Sequence, residues 1–121
     1  MPPRTAASPS LKIRVRVTCG ECDAFGPGKA QLVESLLDTG SLNRSASALK
    51  MSYVKALALV RAMNAAFTEP LVLLTRGGRH GGGTQVTDTG RRVLEEYQAL
   101  CEASESAARP AWKRLGRLLK N

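Results

Sequence analysis

A chain of 121 residues can build one modest core, not two independent ones. Aromatic residues make up only 4%, so that core must be Leu, Val, Ala and Met, and a net charge of +8 selects a polyanionic partner. Three cysteines argue against a disulfide framework, no apolar run approaches the ~20 residues that cross a bilayer, and the polar, Pro-rich start lacks a secretory core, so a reduced, cytoplasmic protein with no membrane partner is expected.

Residues 1–10 are expected to be disordered and residues 11–107 to form the folded domain. Leu11 to Thr18 alternates apolar and basic residues, which predicts a strand with Lys12, Arg14 and Arg16 on its outer face. Cys19 to Gly28 reads as a loop, and Pro27 suits the first turn of a helix over about 28–39 that Gly40 stops. Ser41 is positioned to cap a short Ala-rich helix over 42–49, and Ser52 a third helix over about 53–67 with Ala56, Val60, Met63 and Phe67 facing the core. Pro70 ends that element. Leu71–Leu74 and Gln85–Thr87 read as two strands around a Gly/Arg-rich turn. Thr87 or Asp88 caps a fourth helix over about 89–107, which Pro110 should end, and residues 108–121 form a basic tail or short helix.

The charge is unevenly placed. From Leu42 to Leu94 eight Lys and Arg face only Glu69 and Asp88, and from Ala107 onward five basic residues meet no acid. A short helix, a turn, a second helix start and a basic hairpin are the parts of a winged helix-turn-helix, which places a helix end in the major groove. Ser52, Tyr53, Val54 and Lys55 are the candidate base readers, mixing an apolar contact for a thymine methyl with hydrogen-bonding groups. Ser41, Asn43 and Arg44, at the start of the second helix, suit phosphate clamping, and Arg61, further along the third, reaches either the DNA backbone or only solvent. Arg76, Arg79 and His80 stand among glycines that let a hairpin approach phosphate or enter a narrow minor groove.

These residues resemble a known family. Gly40 to Leu57, Glu69-Pro70-Leu71-Val72 and Val86-Thr87-Asp88-Thr89-Gly90 are similar to the LysR-type winged helix-turn-helix. Met51-Ser52-Tyr53, Met63-Asn64 and the wing Arg76 to Gly83 look more specifically like the N-terminal domain of ModE-type regulators. The resemblance spans about residues 27–101. It implies a mainly α fold with a small β wing, an N-terminal strand and a long C-terminal dimerisation helix, acting on double-stranded DNA in molybdenum-related gene control. Dimerisation through the first and fourth helices would use Leu32, Leu36, Val93, Leu94, Tyr97, Leu100 and Cys101. A homodimer on a pseudo-palindromic site follows, or pairing with a full-length ModE-type paralogue. The molybdate-binding domains of that family are not expected here, so neither effector nor cofactor is assigned. The family's usual glycine between the second and third helices is Lys50, and a non-glycine residue at positive φ costs on the order of 1 kcal/mol.

Other patterns are weaker. Cys19-Gly20-Glu21-Cys22 has the spacing of half a zinc site or of a redox pair, without a second ligand pair or a βαβ setting. Gly26-Pro27-Gly28-Lys29-Ala30 imitates the end of a phosphate loop, but Asp23 and Ala30 stand where Gly and Ser/Thr are needed. One histidine builds no catalytic triad, so no enzyme is expected. The competing readings are a non-specific architectural DNA- or RNA-binding protein that uses the wing and Arg109 to Lys120, and a metal- or thiol-responsive regulator that uses Cys19 and Cys22.

Overall fold

The computed structural model describes residues 8–75 and 83–120. In chain order they form β1 (Val17–Cys19), β2 (Cys22–Phe25), α1 (Pro27–Thr39), α2 (Leu42–Ala48), α3 (Tyr53–Ala66), β3 (Val72–Leu74), β4 (Thr84–Val86) and α4 (Asp88–Gly116). β1 pairs with β2 and β3 with β4, both antiparallel, so four helices carry two small sheets.

Helix starts follow the hydroxyl caps. Ser41 Oγ accepts from Arg44 N at 3.2 Å, Ser52 Oγ from Lys55 N at 3.0 Å and Thr87 Oγ1 from Gly90 N at 2.9 Å. Each cap satisfies a backbone donor that the helix itself cannot, and is worth about 1 kcal/mol. α1 begins instead on Pro27, and its end at Gly40 has the left-handed φ of 65°.

The apolar stripes then close on one another. Leu32, Val33 and Leu36 of α1, Leu42 and Ala46 of α2, and Ala56, Val60 and Met63 of α3 share a core with Leu71, Val72, Val86, Leu94 and Tyr97. Fully burying one Leu or Val contributes about 1.5–3 kcal/mol. Phe25 joins this core from β2, edge-on to Tyr97 at 5.1 Å and to Phe67 at 6.2 Å between ring centroids. Gly90 is required where α4 passes β3: a Cβ there would overlap the Leu71 carbonyl oxygen. Ser45, wholly buried between α1 and α2, is satisfied by Ser35 Oγ at 2.9 Å and Thr39 Oγ1 at 2.8 Å.

Three expectations change. The N-terminal strand starts at Val17 rather than Leu11, because its partner β2 is only four residues long and the ladder ends with it. The alternation persists upstream: Ile13 and Val15 are half-buried and Lys12, Arg14 and Arg16 exposed. Val15 O also accepts the Tyr97 hydroxyl at 2.7 Å. Cys19 to Gly28 is not all loop, since Gly20 takes φ 64° and Glu21 does not turn left-handed, the sign pattern of a two-residue type II′ hairpin turn. Lys29, buried at the start of α1, docks the end of that hairpin by donating to Asp23 O at 2.7 Å. Finally, α4 runs through Pro110 to Gly116 as 29 residues, about 43 Å. Proline removes one backbone bond, but here Ser106 and Pro110 are exposed, so water can satisfy the freed carbonyl, and Ala107, Ala108 and Ala111 favour helix on both sides.

Candidate nucleic-acid interface

The turn joining α2 to α3 sets the geometry of this surface. Met51 N donates to Ala46 O at 2.9 Å and Lys50 N to Ser47 O at 3.1 Å. That pair of bonds is a Schellman motif, which demands a left-handed residue after the helix end. Lys50 supplies it at φ 57°, against its steric preference.

The turn presents the first turn of α3 to solvent. Ser52, Tyr53, Val54 and Lys55 are all exposed, Val54 at 76%. One turn later the helix is pinned: Ala56, Val60 and Met63 are fully buried. At its far end Asn64 Oδ1 accepts from Leu71 N at 2.9 Å and Val72 N at 3.2 Å, and Nδ2 donates to Val72 O at 2.9 Å. Asn64 therefore fastens α3 to the β3 segment.

A second tie joins the start of α2 to β4. Leu42 N donates to Thr84 Oγ1 at 3.2 Å, and Thr84 N to Gly40 O at 3.3 Å. The exposed Asn43 and Arg44 and half-buried Ser41 thus lie beside the base of the β3–β4 pair. Thr75 N donates to Gly83 O at 2.9 Å beside the β3–β4 pair. Arg76, Arg79 and His80 lie outside the described residues.

Among the described residues the one ion pair is Arg16–Asp23 at 3.9 Å, both largely exposed. Arg44, Lys55 and Arg61 are exposed and have no described carboxylate within ion-pairing distance. Exposed cations without a carboxylate partner can each displace a counterion from a phosphate chain.

The residues expected at a dimer seam separate into two groups. Leu32, Leu36, Leu94 and Tyr97 are buried inside this chain, whereas Val93 and Cys101 are half-buried and Leu100 is 46% exposed. An open apolar groove on α4 is lined by Val17, Phe25, Phe67, Val93, Tyr97 and Leu100. Burial raises the Tyr97 phenol pKa above its ordinary value, and the neighbouring Cys101 adds to the shift. Beyond Cys101, Leu115, Leu118 and Leu119 are exposed together with Arg109, Lys113, Arg114 and Arg117. No described helix is long and apolar enough to cross a membrane, and no group of three or more His, Cys, Asp or Glu forms a metal site among the described residues.

Sequence reasoning missed Asn64 and Thr84. A lone Asn late in an apolar helix reads as a solvated position. The signal that could have found it is the following Pro70-Leu71-Val72, a turn whose two amides need an acceptor.

Proteins named ModE align with about two thirds of this chain. The chain is 43% identical over 77 residues to the molybdenum transport protein ModE of Azotobacter vinelandii, covering 64% of this chain and 28% of that protein. It is 35% identical over 81 residues to the transcriptional regulator ModE of Haemophilus influenzae, covering 67% of this chain and 32% of that protein. It is also 32% identical over 76 residues to the molybdenum-pterin-binding protein MopB of Rhodobacter capsulatus, 63% of this chain and 28% of that one. The chain spans about a third or less of these relatives' length. Their names are those of regulators and of transport or binding proteins, not of enzymes. No family model matches.

Proposed function

We propose that this chain is a sequence-specific, double-stranded DNA-binding regulator of transcription, built as a winged helix-turn-helix and without catalytic activity. The observation that carries the reading is the exposed, capped first turn of α3, projected by the left-handed turn at Lys50 and anchored from behind by Met63 and Asn64. Tyr53, Val54 and Lys55 meet bases in the major groove, Ser52 caps the reading turn, and Ser41, Asn43, Arg44 and Arg61 clamp phosphates. Arg76, Arg79 and His80 stand in sequence between β3 and β4, a strand pair tied to the start of α2, which suits them to the flanking groove. Similarity to proteins named as molybdenum regulators supports a role in molybdenum-related gene control.

One such unit contacts too few bases for strong selectivity. A homodimer, closed over the α4 groove at Val93 and Leu100, restores it by reading two half-sites about one helical turn apart. A full-length ModE-type paralogue is the alternative partner for the same groove. Such a regulator works in the cytoplasm.

Selection from randomised duplex DNA at roughly 0.2 M salt, where non-specific phosphate attraction is weakened, tests this. A single pseudo-palindrome is expected. Recovery of no consensus, with binding that collapses as salt rises, would replace the reading with an architectural protein that binds through the wing and the basic end of α4.

A further inference from the structure

Cys19 and Cys22 are not merely close in sequence. They are the paired residues that close the β1–β2 hairpin, Cα partners across a two-residue Gly20-Glu21 turn. Directly opposed residues of an antiparallel pair place their side chains on the same face with Cα atoms about 4.5–5.5 Å apart. Disulfides form over Cα separations of about 4.4–6.8 Å, so the spacing of this register is compatible with a bond between the two thiols. The only irregularity of this sheet lies between Val17 and Thr18, away from the tip. Both thiols are exposed, while Cys101 is half-buried on α4. No third His, Cys, Asp or Glu among the described residues joins the pair in a metal-binding group, which favours chemistry between the two sulfurs over metal capture.

We propose that Cys19 and Cys22 form a reversible dithiol–disulfide couple, oxidised by exchange with a low-molecular-weight disulfide such as glutathione disulfide. One thiolate attacks a sulfur of glutathione disulfide, forming a mixed disulfide and releasing one glutathione thiolate. The second cysteine thiolate then attacks the protein sulfur of that mixed disulfide, forming the Cys19–Cys22 bond and releasing the second glutathione. Two electrons pass from the protein thiols to the oxidant and two protons leave the thiols. Exposure on both sides lets glutathione run the exchange backward, as is general for accessible disulfides. The bond would fix a hairpin whose Phe25 packs on Phe67 at the end of α3.

The test incubates the reduced chain at stepped ratios of glutathione to glutathione disulfide, quenches with acid, labels remaining thiols with N-ethylmaleimide and reads intact mass. The proposal expects two labels to be lost together, one label to remain on Cys101, and full recovery of both with excess glutathione. Proteolysis after Glu21 cuts the chain between the two cysteines, so the fragments stay joined only if the bond links them. Cys22→Ser is expected to stop at a glutathione adduct on Cys19, removable by excess thiol. Persistent glutathione adducts on the unaltered chain, linkage through Cys101, or disulfides only between chains would each overturn the proposal, as would identical label loss in Cys22→Ser.

Discussion

The two ends of α3 differ in almost every physical respect. At its C-terminal end Met63 is fully buried, Asn64 makes three hydrogen bonds to the β3 segment, and Phe67 meets Phe25 edge-on. At its N-terminal end Tyr53, Val54 and Lys55 are exposed, and Ser52 caps the helix. The difference teaches how a small chain can hold an exposed helix start still. Rigidity comes from contacts on the far side of the helix, so the first turn can carry side chains chosen for a partner rather than for the core. Substitutions at the two ends should therefore separate into effects on stability and effects on binding.

The largest stability effect is expected for Asn64→Ala. It leaves Leu71 N, Val72 N and Val72 O without their partner, which costs about 2–4 kcal/mol in urea unfolding; a loss below about 0.5 kcal/mol would show that α3 is not anchored there. Lys50→Gly should act in the opposite direction. Relieving the left-handed lysine at φ 57° stabilises by about 1 kcal/mol, where glycine at Gly40 already holds the equivalent position after α1. At the exposed end, Arg44→Ala should change stability by less than about 0.5 kcal/mol. It should instead weaken binding to every duplex alike and lower the salt slope by about one. The smallest effect appears only in alkali. Tyr97 has a folded-state pKa raised above 10.0, mainly by burial, so the folded chain holds that proton more tightly than the unfolded one. Stability is then independent of this group below pH 10.0 and falls as pH rises from there through the folded value, a decline that Tyr97→Phe removes from a pH series of unfolding midpoints.

How far this arrangement was legible in the residues depended on whether the signal was local. Hydroxyl caps at Ser41, Ser52 and Thr87 are spelled in single positions next to apolar periodicity, and the helices start where those caps stand. Core positions Ala56, Val60 and Met63 followed from helical spacing alone. The β1–β2 hairpin was hidden because its strands are three and four residues long, too short for alternation to separate them from a loop. Pro110 misled because the cost of an interior proline falls where the freed carbonyl can reach water, and exposure is not written in the sequence. Asn64 and Thr84 act on residues 7 and 42 positions away, which helix and strand periodicity do not encode. The seam residues show the same limit, since the family resemblance groups Leu32 and Leu36 with Leu100 without telling which apolar face the chain covers for itself.

The most direct test of the central claim is the ratio of affinities for a selected duplex and a scrambled one, compared between the unaltered chain and Tyr53→Ala/Lys55→Ala at fixed salt. If the first turn of α3 reads bases, the ratio falls by the equivalent of about 1–3 kcal/mol per lost contact while the unfolding midpoint stays in place. An unchanged ratio, with both duplexes bound as before, would contradict the account and move recognition away from α3.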